Sequence, residues 1–129
     1  MPHFILEYTD NIKSEAQIDE LLAKVNRLLI AQGDVFPTGG IRSRAIELRH
    51  YAIADGKEDD AFAHATLKIG SGRDEATKKR VCDALFELMK SHFADLYARR
   101  YLALSLELVE LNEAATYKHN NIHARFKKG

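Results

Sequence analysis

A strand–helix–strand pattern written twice constrains this chain more than any other feature. Residues 2–8, "PHFILEY", are rich in strand formers. After the loop "TDN", the stretch "SEAQIDELLAKVNRLLIAQG" sets Ile18, Leu21, Leu22, Val25, Leu28 and Leu29 on one apolar helical stripe. Ser14 and Gln17 have capping-box spacing before it, and Gly33 is placed to end it. The loop "GDVFPTGG" leads to a second strand over 41–53, "IRSRAIELRHYAI", with Arg42, Arg44, Ile46 and Leu48 on one face. The charged turn "ADGKEDD" then precedes the same order again. "AFAHATLKIG" is a strand, and residues 73–100 carry Val81, Leu85, Leu88, Met89, Phe93 and Leu96 at helical spacing. "YLALSLELVEL" closes the second unit with Leu102, Leu104, Leu106 and Leu108 on one face.

The two units start about 60 residues apart, which reads as an internal duplication covering roughly 2–51 and 60–111, with a tail over 112–129. A crossover helix makes the two strands of each unit parallel. The expectation is one α+β domain over 1–129: two βαβ units in a four-stranded mixed sheet with two helices on one face. The opposite face also carries Leu and Ile, and no third helix remains to cover it. Self-association would cover it.

Composition excludes several classes. Lys plus Arg and Asp plus Glu both number 19, a formal net charge of +0, which disfavours a nucleic-acid binder and removes one guard against association. With one cysteine, Cys82, no intrachain disulfide forms, and a reducing, cytoplasmic setting fits. No run approaches the ~18 apolar residues of a membrane span, and no signal-peptide pattern opens the chain, so no membrane partner is expected.

Pro2 has two readings. Proline serves as a first strand residue because no ladder bond from its nitrogen is needed there. The second reading requires removal of Met1, which a small second residue permits. The freed secondary amine, at the mouth of an apolar pocket with arginines close by, would have its pKa lowered by burial and by cations. It would then be a base tuned for neutral pH. Arg42 and Arg44 start the second strand. Arg73 follows "GSG" at a strand end and helix start, where free N–H groups offer an anion site and the guanidinium adds bidentate donors for a carboxylate. Pro2, Arg42 and Arg73 all lie at ends of expected elements, where a pocket could form.

These residues, in the stretches "MPHFILEYTDNI", "FPTGGIRSR", "AFAHATLKIGSGR", "LFELMKSHFADL" and "YKHNNIHARF", resemble the tautomerase superfamily. Within it they resemble the 5-carboxymethyl-2-hydroxymuconate Δ-isomerase family over nearly the whole chain. The resemblance implies a tautomerase-like homotrimer and an isomerase with no cofactor and no metal. Its substrate would be a small unsaturated carboxylate in homoprotocatechuate degradation. It implies Pro2 as the catalytic amine and Arg42 and Arg73 as carboxylate binders. "RHYAIADGKEDD" and the basic ending "KKG" depart from the pattern. A hydratase or dehalogenase using Pro2 as general acid keeps the same fold, as does a non-catalytic trimeric binding protein. An amine pKa below about 7.5 suits a base and above about 8.5 an acid.

Other signals are weaker. His119 and His123 have i, i+4 spacing without a third ligand, so the tail is expected at a subunit contact, with Ile122 and Phe126 as anchors. His64 reads as a structural histidine and Cys82 as a buried small hydrophobe.

Overall fold

The computed structural model describes residues 1–127; Lys128 and Gly129 of the "KKG" ending lie outside the described residues. The chain runs β1 (His3–Thr9), α1 (Ile18–Ile30), β2 (Arg42–Leu48), β3 (Ala61–Gly70), α2 (Glu75–His92), α3 (Ala94–Arg99) and β4 (Leu102–Leu111). Short 3-10 turns cover Thr38–Gly40 and Ile122–Phe126.

The four strands form one sheet in the order β2-β1-β3-β4. Within each βαβ unit the strands are parallel, β1 with β2 and β3 with β4, and the units meet through the antiparallel pair β1–β3. The sheet is therefore mixed, as the repeated pattern implies. Alternation decides which side each residue faces. Phe4 and Leu6 of β1 and Ala61, Ala63, Ala65, Leu67 and Ile69 of β3 are buried. They pack with Leu21, Val25 and Leu29 of α1 and Val81, Leu85 and Met89 of α2 in one core. Each large apolar side chain so removed from water contributes roughly 1.5–3 kcal/mol before conformational entropy is counted.

The leucine quartet of β4 lies on this helix side: Leu102 is buried, and Leu104, Leu106 and Leu108 pack against the core. The open face carries Ile5, Ile46 and Leu48 among ionic and polar groups. His3 lies beside Arg44 (3.1 Å), and His64 accepts from or donates to Ser105 (2.7 Å). Among the described residues, no helix is long and apolar enough to cross a membrane.

Three expectations need correction. No capping box forms on α1: Gln17 is the N-cap in a left-handed conformation (φ 48°) without a side-chain cap bond. Buried Ile12 and Ala16 draw residues 12–16 into a turn instead, with the N–H of Ala16 on the Ile12 carbonyl at 2.9 Å. The second strand stops at Leu48 rather than at 53, because its partner β1 ends at Thr9 in register with Leu48. Beyond it the chain turns through Ala54 (φ 52°) and Gly56 (φ 73°). The long helix over 73–100 is two helices jointed at Phe93, whose fully buried ring meets His92 edge-on at 5.1 Å. The joint turns Phe93 and Leu96 inward together.

Candidate active site

Pro2 is buried at the start of β1, beside the turn that leads into β2. Its carbonyl accepts the main-chain N–H of Arg42 at 3.0 Å, the rung that precedes the β1–β2 ladder. The Thr38–Gly40 turn passes close beneath. A Cβ on Gly40 would lie 3.4 Å from Met1 Cα, and one on Gly39 would lie 2.8 Å from both Cα and Nδ1 of His123. The close approach of His123 is the reason for glycine at position 39, whereas a Cβ on Gly40 would make only ordinary contact.

Two arginines flank this corner. Arg42 Nη1 donates to the Gly40 carbonyl at 3.1 Å. Arg73 is more deeply engaged. Its Nε and Nη2 donate to the Val35 carbonyl at 3.2 and 2.6 Å, and its Nη1 donates to the Gly70 carbonyl at 3.0 Å. Its guanidinium carbon also stands 4.9 Å from the centre of the Phe36 ring, a cation–π arrangement. Arg73 thus holds the 33–37 loop to the end of β3 while it carries charge.

The C-terminal tail supplies the rest. Lys118 Nζ pairs with Glu113 Oε2 at 3.0 Å, and Glu113 Oε1 lies where a Cβ on Gly70 would stand. Asn120 Nδ2 donates to the Gly39 carbonyl at 3.0 Å. His123 lies directly on Gly39 and near Met1. The tail therefore packs on its own chain. Within the chain it is held by Asn120 and His123, while Ile122 and Phe126 are exposed on the single chain, by 41% and 48%. Their types and spacing in "NEAATYKHNNIHARF" do not reveal this, because the contact is with residues some 80 positions away.

Electrostatics at the amine follow from these neighbours. Burial lowers the pKa of the N-terminal ammonium on Met1 below its ordinary value. Arg73, Lys118 and Arg42 lower it further, and Glu113 opposes them. Pro2, Arg42 and Arg73 are thus brought to one corner. Arg44 is not: it turns to His3 on the open sheet face. At the "GSG" turn, expected to offer an anion site, part of the donor set is used within the chain: the Asp74 side chain caps α2 by accepting from the N–H of Thr77 at 2.8 Å.

Among the described residues, no group of three or more His, Cys, Asp or Glu is placed to hold a metal ion. Cys82 is half-buried rather than buried, and burial followed by the neighbouring Asp83 raises its thiol pKa.

A family model for 5-carboxymethyl-2-hydroxymuconate isomerase matches residues 2–126. The chain is 50% identical over 127 residues to a 5-carboxymethyl-2-hydroxymuconate Δ-isomerase of Escherichia coli, covering 98% of this chain and 100% of that one. It is similar to the crystal structure of a 5-carboxymethyl-2-hydroxymuconate isomerase from Deinococcus radiodurans R1, with 54% identity and a TM-score of 0.95, covering 98% of this chain and 95% of that one. A fused 4-OT symmetric trimer, at 12% identity and a TM-score of 0.68 over 91% of this chain and 93% of that one, shares the fold.

Proposed function

The chain belongs to the 5-carboxymethyl-2-hydroxymuconate isomerase family, and from that premise we propose that it isomerises 5-carboxymethyl-2-hydroxymuconate with the Pro2 amine as general base. The reaction falls in the degradation of homoprotocatechuate in the cytoplasm, and the working unit is a homotrimer. The observation that carries the assignment is the cationic, partly buried corner around the N-terminus. With Met1 in place, burial and three cations, Arg73, Lys118 and Arg42, hold the Met1 amine below its ordinary pKa, and the same cations would favour a neutral Pro2 amine once Met1 is gone.

Met1 lies over Gly40 beside His123. Its removal frees the Pro2 nitrogen and opens the space a substrate takes, in one step. The neutral nitrogen then accepts the proton of the substrate's 2-hydroxyl. Electrons move through the conjugated system as the C2–O bond becomes a carbonyl and the central C=C bond forms. The protonated amine returns the proton to C5, the far carbon of the diene. No atom is gained or lost, and no redox partner is needed. Arg42 and Arg73 bind carboxylates and stabilise the dienolate charge between the two transfers. Positioned proton transfer is typically worth about 10²–10⁴ in rate. The cations that lower the pKa of the Met1 amine would act in the same direction on a freed Pro2 nitrogen, which suits this base role rather than the general-acid role of a hydratase.

The test is ultraviolet loss of the 5-carboxymethyl-2-hydroxymuconate dienol, with protein whose mass shows that Met1 is absent. Rapid ketonisation that disappears in Pro2→Ala supports the assignment. No acceleration by the processed protein overturns it.

A further inference from the structure

We propose that Lys118 binds the carboxylate of the substrate's carboxymethyl arm and so selects a triacid dienol over a diacid one. This rests on the function proposed above and extends it to a residue in the tail.

The substrate carries three carboxylates, and the corner holds two arginines and one lysine. Of the five N–H donors of an arginine, Arg73 spends three on the carbonyls of Val35 and Gly70. The two that remain suit one bidentate carboxylate. Arg42 spends one on the Gly40 carbonyl. Rigid forks of this kind match carboxylates held in plane by a conjugated diene. The third carboxylate hangs from an sp³ carbon and rotates. A compact ammonium on a flexible stem matches it better than a fork does.

Lys118 is held in place for that role. Its segment is fixed on one side by Glu113, which lies against Gly70, the residue whose carbonyl holds Arg73. On the other side, Asn120 donates to the Gly39 carbonyl and His123 covers that glycine. Lys118 donates to Glu113 at 3.0 Å and keeps two N–H donors. Both partners of that pair are over a third exposed, at 36% and 42%, so exchanging one carboxylate for another costs little. Lys118 also acts on the N-terminal amine, in the direction expected of a nearby cation.

The experiment measures kcat and KM on two substrates: the triacid dienol and 2-hydroxymuconate, which lacks the carboxymethyl arm. Lys118→Met raises the amine pKa for both substrates alike, so the ratio of their kcat/KM values cancels that effect. The ratio of triacid to diacid is expected to fall roughly tenfold, carried by KM of the triacid, the size of one charged hydrogen bond. Lys118→Arg, which keeps the charge but presents a fork, restores only part of it. Glu113→Gln, which frees the ammonium, lowers KM for the triacid. The double variant Lys118→Met/Glu113→Gln shows the same reduced ratio, separating the loss from an unpaired Glu113. A ratio unchanged in Lys118→Met, with circular dichroism confirming the fold, overturns this inference alone. Wild-type protein that ketonises neither dienol overturns it together with the proposed function.

Discussion

The Arg42 N–H donates to the Pro2 carbonyl at 3.0 Å, so the proposed base is tied to β2 through its oxygen and leaves its nitrogen outside the sheet. Pro2→Ala keeps that bond. It should cut dienol turnover by about 10² or more, without changing the far-ultraviolet circular dichroism or the proposed trimer, which light scattering would read. Unchanged turnover would remove Pro2 from the mechanism, and a monomeric wild type would remove the trimer.

Arg73 and Arg42 should respond differently to truncation. Arg73→Ala removes three hydrogen bonds to the Val35 and Gly70 carbonyls and the stacking on Phe36. It should lose kcat/KM and about 2–4 kcal/mol of stability in urea titration. Arg42→Ala gives up a single bond, to Gly40, and should lose kcat/KM with less than about 1.5 kcal/mol of stability. Equal stability losses in the two variants would contradict this division.

Gly39→Ala places a methyl group 2.8 Å from the Cα of His123, a main-chain atom that cannot turn aside. The tail must lift. The expected cost is about 1–3 kcal/mol, with faster proteolytic cleavage within 113–127 and a raised KM. Wild-type protease resistance in this variant would show that the tail does not depend on the Gly39 contact.

Acid should weaken the fold through His3. Burial, then Arg44, Arg42, the N-terminus and Lys68 hold its folded-state pKa below the ordinary value. The unfolded chain therefore binds this proton more readily, and stability falls as pH drops from about 6.5 toward the lowered value. His3→Gln should flatten urea midpoints between pH 5.5 and 7.5. An equally steep profile in the variant would assign the slope to other groups.

Much of this fold is legible along the chain because its signals are local. The stripe Leu21, Val25, Leu29 and the alternation Ala61, Ala63, Ala65, Leu67 each arise within one element, and each is buried as its period requires. Both βαβ units and the mixed sheet follow from their order. Local signals also misled where neighbours competed. Ser14 and Gln17 have the spacing of a cap, but the burial of Ile12 and Ala16 bends the chain before α1 begins. The helix over 73–100 reads as continuous, yet it breaks so that Phe93 and Leu96 both reach the core.

The site divides the same way. Pro2, Arg42 and Arg73 stand out in sequence because each sits at the end of an element, next to a glycine turn or the chain start. Glu113, Lys118, Asn120 and His123 have no such mark. They matter because the tail folds back onto Gly39 and Gly70, bringing its charges to the amine. Periodicity records which residues share a face of one element. It holds no record of which charges will lie beside one another after distant segments close, and the proton affinity of the N-terminal amine depends on those charges.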